Sequence, residues 1–168
     1  MKIIILPGFS IKNKEWAYEV KKELGGDDVE VVEWEHWRTG NDKDFVVENE
    51  LSKIESLVGN DRVQVIAKSV GTYMAALLLI KAEDKVGKLI LCGVALNDFG
   101  YDEKEQFSVL KSIDSDKLLV IQNDEDPHGR FEEVVEFVHD FNSDIKIVEK
   151  SRDDHNYPCY EEFRGFLV

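Results

Sequence analysis

The chain has 168 residues, 43% of them hydrophobic and 33% charged, with a formal charge of -14. That length suits a single domain with a core of its own, and the balance of apolar to charged residues excludes a disordered or membrane-embedded chain. With 21 Lys and Arg against 35 Asp and Glu and no concentrated basic patch, neither nucleic acid nor an anionic membrane surface is expected as a partner.

In chain order, the opening MKIIILPGFS holds a short apolar run, 3–6, closed by Pro7-Gly8. It reads as a strand and is too short for the apolar region of a secretion signal or for a membrane span, so a cytoplasmic protein is expected. Apolar residues then recur at three and four over 14–24, which predicts a helix, and the alternation continues to the end. Strands are predicted at 29–34, 63–67, 88–92, 118–122 and 145–148, and helices at 43–58, 70–82, 103–113, 130–141 and 160–166. Several strands are nearly continuous in Val, Ile and Leu, as expected when helices cover both faces of a sheet with right-handed crossovers and parallel pairing. The fold class is α/β, in one domain spanning 1–168, with no repeat or linker-like tract. A polar loop from 97 to 105 follows the fourth strand, on the side where open α/β sheets keep their ligands. Cys92 and Cys159 are far apart and form no metal-type pair, so both are expected as reduced thiols, and neither a metal nor an organic cofactor is implied.

The segment Val65-Ile-Ala-Lys-Ser-Val-Gly-Thr72 places Ser69 directly after a buried strand and directly before a helix. A serine there can simply cap the helix. It is also where a nucleophile elbow sits, a turn so sharp that only small residues fit two positions before and after the serine. Ala67 and Gly71 meet that demand. A serine hydroxyl is a weak nucleophile until a base takes its proton and an acid orients the base. Strand five ends in Asn123-Asp-Glu-Asp-Pro-His-Gly129, and Ser151-Arg-Asp-Asp-His-Asn-Tyr157 follows strand six. Ser69, Asp126 and His155 therefore occur in the chain order of a hydrolase triad, with Asp124 and Asp98 as other carboxylates at strand ends.

On these motifs the chain resembles the α/β-hydrolase superfamily, in its small lidless branch similar to the retinoblastoma-binding-protein type of serine hydrolases, over nearly its full length. The resemblance implies a three-layer sandwich around a six-stranded, mostly parallel sheet in the order 2-1-3-4-5-6, without a cap domain. It favours Asp126 as the acid, because 123–127 is similar to the family's Gly-x-x-Asp-Pro-like segment with Asn123 in place of the glycine. It also matches 154–155 to the late Asp-His segment and Leu6-Pro7-Gly8-Phe9-Ser10 to the oxyanion turn. An oxyanion needs two donors aimed at one point, here the backbone amides of Phe9 and Val70. Gly8 is expected to allow the unusual backbone path that aims the Phe9 amide inward.

Other residues carry weaker expectations. His128 is a rival base two residues from Asp126, Asp98 reads as a solvated loop carboxylate, and Lys68 is expected to reach solvent or an acidic loop. His36 lies in Glu-His-Trp after strand two. Of Trp16, Trp34, Trp37, Phe9 and Tyr73, about two are expected to line a pocket and the rest to pack. Short inter-strand segments leave no room for a cap, so the site is expected to be open and without a large pocket. The expected activity is cleavage of a small-molecule ester, thioester or amide acyl substrate by Ser69, with a non-catalytic binding protein on the same fold as the alternative; the sequence points to no protein partner.

Overall fold

The computed structural model describes residues 1–167. Six strands form one parallel sheet in the order β2-β1-β3-β4-β5-β6, as expected: β1 Ile3–Leu6, β2 Val29–Val31, β3 Val63–Lys68, β4 Val86–Cys92, β5 Leu118–Asn123 and β6 Lys146–Lys150. The helices are α1 Asn13–Leu24, α2 Glu35–Thr39, α3 Val47–Val58, α4 Val70–Ala82, α5 Tyr101–Gln106, α6 Phe131–Phe141 and α7 Tyr160–Leu167.

The near-continuous apolar strands have the predicted cause, since both faces of the sheet are covered. Alternate strand side chains divide between two cores. Ile4, Leu6, Val65, Ala67, Leu89 and Val120 meet α3, α4 and α6 on one face. Ile5, Ile66, Ile90 and Ile121 meet Trp16 and Val20 of α1 and Phe163 of α7 on the other. Each of the Val, Leu, Ile and Phe side chains among them contributes on the order of 1.5–3 kcal/mol when fully removed from water. None of the described helices is long and apolar enough to cross a membrane.

Register decides what the strand ends bring together. Leu6 pairs with Ala67, Lys68 with Cys92, Cys92 with Ile121, and Asn123 with Lys150. The turns after β1, β3, β4, β5 and β6 therefore emerge side by side along one edge.

Beyond shifts of one or two residues at strand and helix ends, three predicted elements differ. The strand expected over 29–34 stops at Val31, and residue 34 instead opens the short helix α2, because the Trp34 and Trp37 side chains turn inward under the β1 turn and are buried. The helix expected over 43–58 begins only at Val47: a 3-10 turn at Asp42–Asp44 is capped by the Asn41 side chain, and Phe45 and Val46 are extended, which lets the Phe45 ring pack on Trp34. The helix expected over 103–113 starts earlier, at Tyr101, where Glu103 bonds the Gly100 amide, and tightens into a 3-10 turn over Phe107–Lys111.

The first turn of α4 presses on the end of β1. A Cβ added to Gly71 would lie 2.0 Å from the Leu6 carbonyl oxygen, so a side chain there must push two backbone segments apart. Gly71→Ala is expected to destabilise the protein by about 1–3 kcal/mol or more in urea unfolding, through forced overpacking. Gly165→Ala, in α7 with no atom within 4 Å of the added carbon, should instead raise stability by about 0.5–1 kcal/mol. Equal effects at the two positions would refute the close approach at Gly71.

Candidate active site

Ser69 joins β3 to α4 with φ of 56°, and among the described non-glycine residues it alone has a positive φ. Its amide is shared between the carbonyls of Cys92 and Gly93 at the end of β4, and its carbonyl accepts from the Thr72 amide and hydroxyl. These contacts over-determine a conformation that L-residues avoid. The Ser69 hydroxyl makes no capping bond to α4. The helix is held without it, which removes the simple capping explanation for the serine.

Asp126 and His155 meet as expected. His155 Nδ1 is 2.7 Å from Asp126 Oδ2, in the loop after β6. A carboxylate only accepts, so Nδ1 carries the hydrogen, which in the neutral ring leaves the lone pair on Nε2. That Nε2 is buried without a hydrogen-bond partner among the described residues, and His155 and Ser69 line the same cleft. Buried polar atoms are nearly always partnered, so an unpartnered imidazole nitrogen marks a place where a proton can be received.

Asp126 has no solvent exposure. Burial pushes its carboxyl up, but hydrogen bonds from His155, from the Tyr157 hydroxyl at 2.5 Å and from the His128 amide at 2.8 Å outweigh it and hold it below the ordinary value of 3.8. The other carboxylates are engaged elsewhere. Asp124 accepts from the Arg152 amide at 2.8 Å, and Asp98 is 2.6 Å from His128 Nδ1. Asp98 is exposed, as expected of a loop carboxylate, and also forms a second imidazole–carboxylate pair with His128, whose ring is 4.3 Å from that of His155.

Lys68 corrects another expectation. It is 5% exposed, reaching neither solvent nor an acidic loop. Its Nζ donates to Asn13 Oδ1 at 2.5 Å and lies 5.3 Å from the centre of the Trp16 ring, and burial pushes its pKa down. Asn13 in turn donates to the Ser10 carbonyl at 2.9 Å. Gly8, expected to serve through an unusual backbone path, has no positive φ; a Cβ there would lie 2.6 Å from the Asn13 side chain, which would have to shift. The amides of Phe9 and Val70 make no hydrogen bond among the described residues.

The site holds a larger pocket than the missing cap suggested. A cleft of about 550 Å³ lies beside Ser69, with Phe9, Phe45, Tyr73 and Phe99 among its walls. The crossovers after β2 and β4 supply Phe45 and Phe99 to its walls. Of the five aromatics considered in the sequence, Phe9 and Tyr73 line this cleft, whereas the three tryptophans are buried. Sequence reasoning missed Tyr157 and Asn123. The Tyr157 hydroxyl accepts from the Asn123 amide at 3.1 Å while donating to Asp126, and Asn123 Nδ2 holds the carbonyls of Asp154 and Asn156. Nothing in their spacing signals this; their proximity is created by the β5–β6 register.

No family model and no curated protein sequence matches the chain. Solved structures do. Est1E from Butyrivibrio proteoclasticus, with ferulic acid bound, aligns with a TM-score of 0.71 at 18% identity over 98% of this chain and 87% of that one. Alpha/beta hydrolase domain-containing protein 10 from mouse aligns at 0.68 and 14% identity over 99% and 87%. XC6422 from Xanthomonas campestris, an α/β serine hydrolase without a lid, aligns at 0.59 and 16% identity over 99% and 78%. The chain has the α/β-hydrolase fold.

Because the Asp126 carboxyl is depressed in the folded protein, its stabilisation is fully present above about pH 3.8 and is lost as pH falls through the lower folded value. Tyr157→Phe removes one donor to this carboxylate and leaves the Asn123 amide unpaired. We expect a loss of about 1–3 kcal/mol near neutral pH and an acid-unfolding midpoint shifted upward, both followed by circular dichroism. An unmoved acid midpoint would show that the hydroxyl does not hold the carboxylate.

Proposed function

We propose that this protein is a cytoplasmic serine hydrolase that cleaves small ester, thioester or amide acyl compounds through an acyl-enzyme. One observation carries the reading: the strained, uncapped Ser69 shares a cleft with an imidazole whose Nε2 is unpartnered and whose Nδ1 is bonded to a fully buried carboxylate. The fold shared with Est1E and with a lidless α/β serine hydrolase supports it.

Ser69 Oγ attacks the acyl carbonyl carbon while His155 Nε2 accepts the hydroxyl proton. Asp126 fixes the imidazole tautomer and offsets the charge of the imidazolium. The carbonyl oxygen, now negative, takes hydrogen bonds from the Phe9 and Val70 amides, and the N-terminus of α4 adds its positive end. The bond to the leaving group breaks as His155 returns the proton to it. Water then gives a proton to His155 as it attacks the acyl-serine; the acyl–Oγ bond breaks as His155 returns that proton to Ser69 Oγ, and the acid is released.

The aromatic walls suit an apolar acyl group. Asp98 and Glu103 on the same cleft disfavour a substrate carboxylate there. The two thiols fit a reducing compartment: both are buried, and burial pushes Cys159 up to about 11 and Cys92 well above its ordinary value.

A fluorophosphonate probe should label the wild-type protein at Ser69, and Ser69→Ala should abolish labelling with the fold intact. His155→Ala should lower turnover of short-chain p-nitrophenyl esters by about 100-fold or more, the scale of lost general-base catalysis. Labelling that persists in the alanine variant, or an unchanged rate without the imidazole, would overturn the reading.

A further inference from the structure

Trp34-Glu-His-Trp37 makes none of the catalytic contacts above, yet three of its four side chains reach the turn after β1. Trp34 Nε1 donates to the Gly8 carbonyl at 3.1 Å. His36 Nε2, at 2.7 Å, and Trp37 Nε1, at 2.8 Å, both hold the Phe9 carbonyl. With Asn13 on the Ser10 carbonyl, three consecutive carbonyls of this turn are held by side chains. We infer that Trp34 is a positioning residue for oxyanion stabilisation, acting through the Gly8–Phe9 peptide; the inference rests on the acyl-transfer reading proposed for Ser69.

The link is the geometry of the peptide unit. No cis peptide bond is present among the described residues, and in a trans unit the C=O and N–H point in opposite directions. A Gly8 carbonyl drawn toward the Trp34 indole therefore turns the Phe9 N–H to the opposite side. That amide has no partner of its own among the described residues, while the Phe9 side chain lines the cleft beside Ser69. The doubly held Phe9 carbonyl fixes the next peptide unit, so rotation on either side of the Phe9 Cα would break a side-chain bond. The Phe9 ring is also stacked on His36, with centroids 4.2 Å apart.

The clamp is itself anchored. Trp34 is 1% exposed and His36 4%. The Glu35 amide donates at 2.7 Å to Glu50 Oε1, on a buried side chain of α3 whose other oxygen is 2.7 Å from Lys53 Nζ. Phe45 packs edge-on against Trp34, His36 and Phe9. Simple packing offers another purpose for these bonds, since a buried indole and a strand-end carbonyl each need a partner. The two purposes differ in what they move. Packing affects stability alone, whereas aim of the Phe9 amide affects the tetrahedral state more than the bound ground state.

Trp34→Phe separates them. With p-nitrophenyl esters the variant should lose about tenfold to 100-fold in kcat with KM within about twofold, somewhat less than the 10²–10³ that deletion of a whole oxyanion donor costs. Its affinity for an arylboronic acid, which forms a tetrahedral adduct on serine, should fall by a similar factor. A folded variant with unchanged kcat and unchanged boronate affinity, or with a raised KM alone, would overturn the inference. If Trp34→Phe does not fold, 3-benzothienylalanine at position 34 keeps the ring shape without the N–H, and the same readouts apply. A wild-type protein that neither turns over esters nor reacts with fluorophosphonate would instead remove the acyl-transfer reading on which the inference rests.

Discussion

A carboxylate with no access to water is costly unless its lone pairs are filled, and Asp126 is the point at which this site meets that cost. It accepts from the ring of His155, from the hydroxyl of Tyr157 and from the amide of His128. Three pieces of chain are thereby tied to one group: the loop after β5, the loop after β6 and, through the Trp16 bond to the Tyr157 carbonyl, helix α1. The imidazole is held in one tautomer because the carboxylate cannot donate. Removing either side of so buried a pair leaves the other uncompensated, so the geometry of His155 and the integrity of this edge of the sheet are one property.

The serine side works by a different means. Its backbone is in a region that side chains avoid, and the strain is held by hydrogen bonds from Ser69 to the end of β4 and from Thr72 back to Ser69. The close packing of α4 on β1, which only glycine at 71 permits, places that elbow against the β1 turn. The turn is fixed in its own right, from one side by the α2 clamp and from the other by Asn13, which Lys68 holds from beneath the elbow. Ser69 and the β1 turn are therefore each held by bonds from within the protein, and electrostatic stabilisation without reorganisation, as the proposed acyl transfer requires, depends on such holding.

Compactness and a formed cleft coexist here because the crossover segments are used twice. The stretch after β2 first clamps the β1 turn and then contributes Phe45 and Val47 to the cleft, and the stretch after β4 contributes Phe99 and Asp98. The connections that follow these strands thus line the cleft themselves. His128 and Asp98 complete that wall and place a second imidazole against the first.

What the sequence determined by itself was whatever depends on local pattern. Strand-length apolar runs alternating with three-and-four periodicity set the α/β class, and the small residues around Ser69 exposed the elbow, because steric demand acts on neighbours in the chain. Ser69, Asp126 and His155 were picked out by their chain order and by resemblance to a known family, not by local sterics. What depends on contacts between distant segments was not legible. Val29–Val31 is shorter than its pattern because Trp34 is drawn under a turn 26 residues earlier. Lys68 reads as a surface residue until a partner 55 residues away makes its burial tolerable. Tyr157 and Asn123 acquire their roles only when β5 and β6 pair. Hydrogen-bond partners across a sheet are chosen by register, and register becomes visible only when the strands are laid side by side.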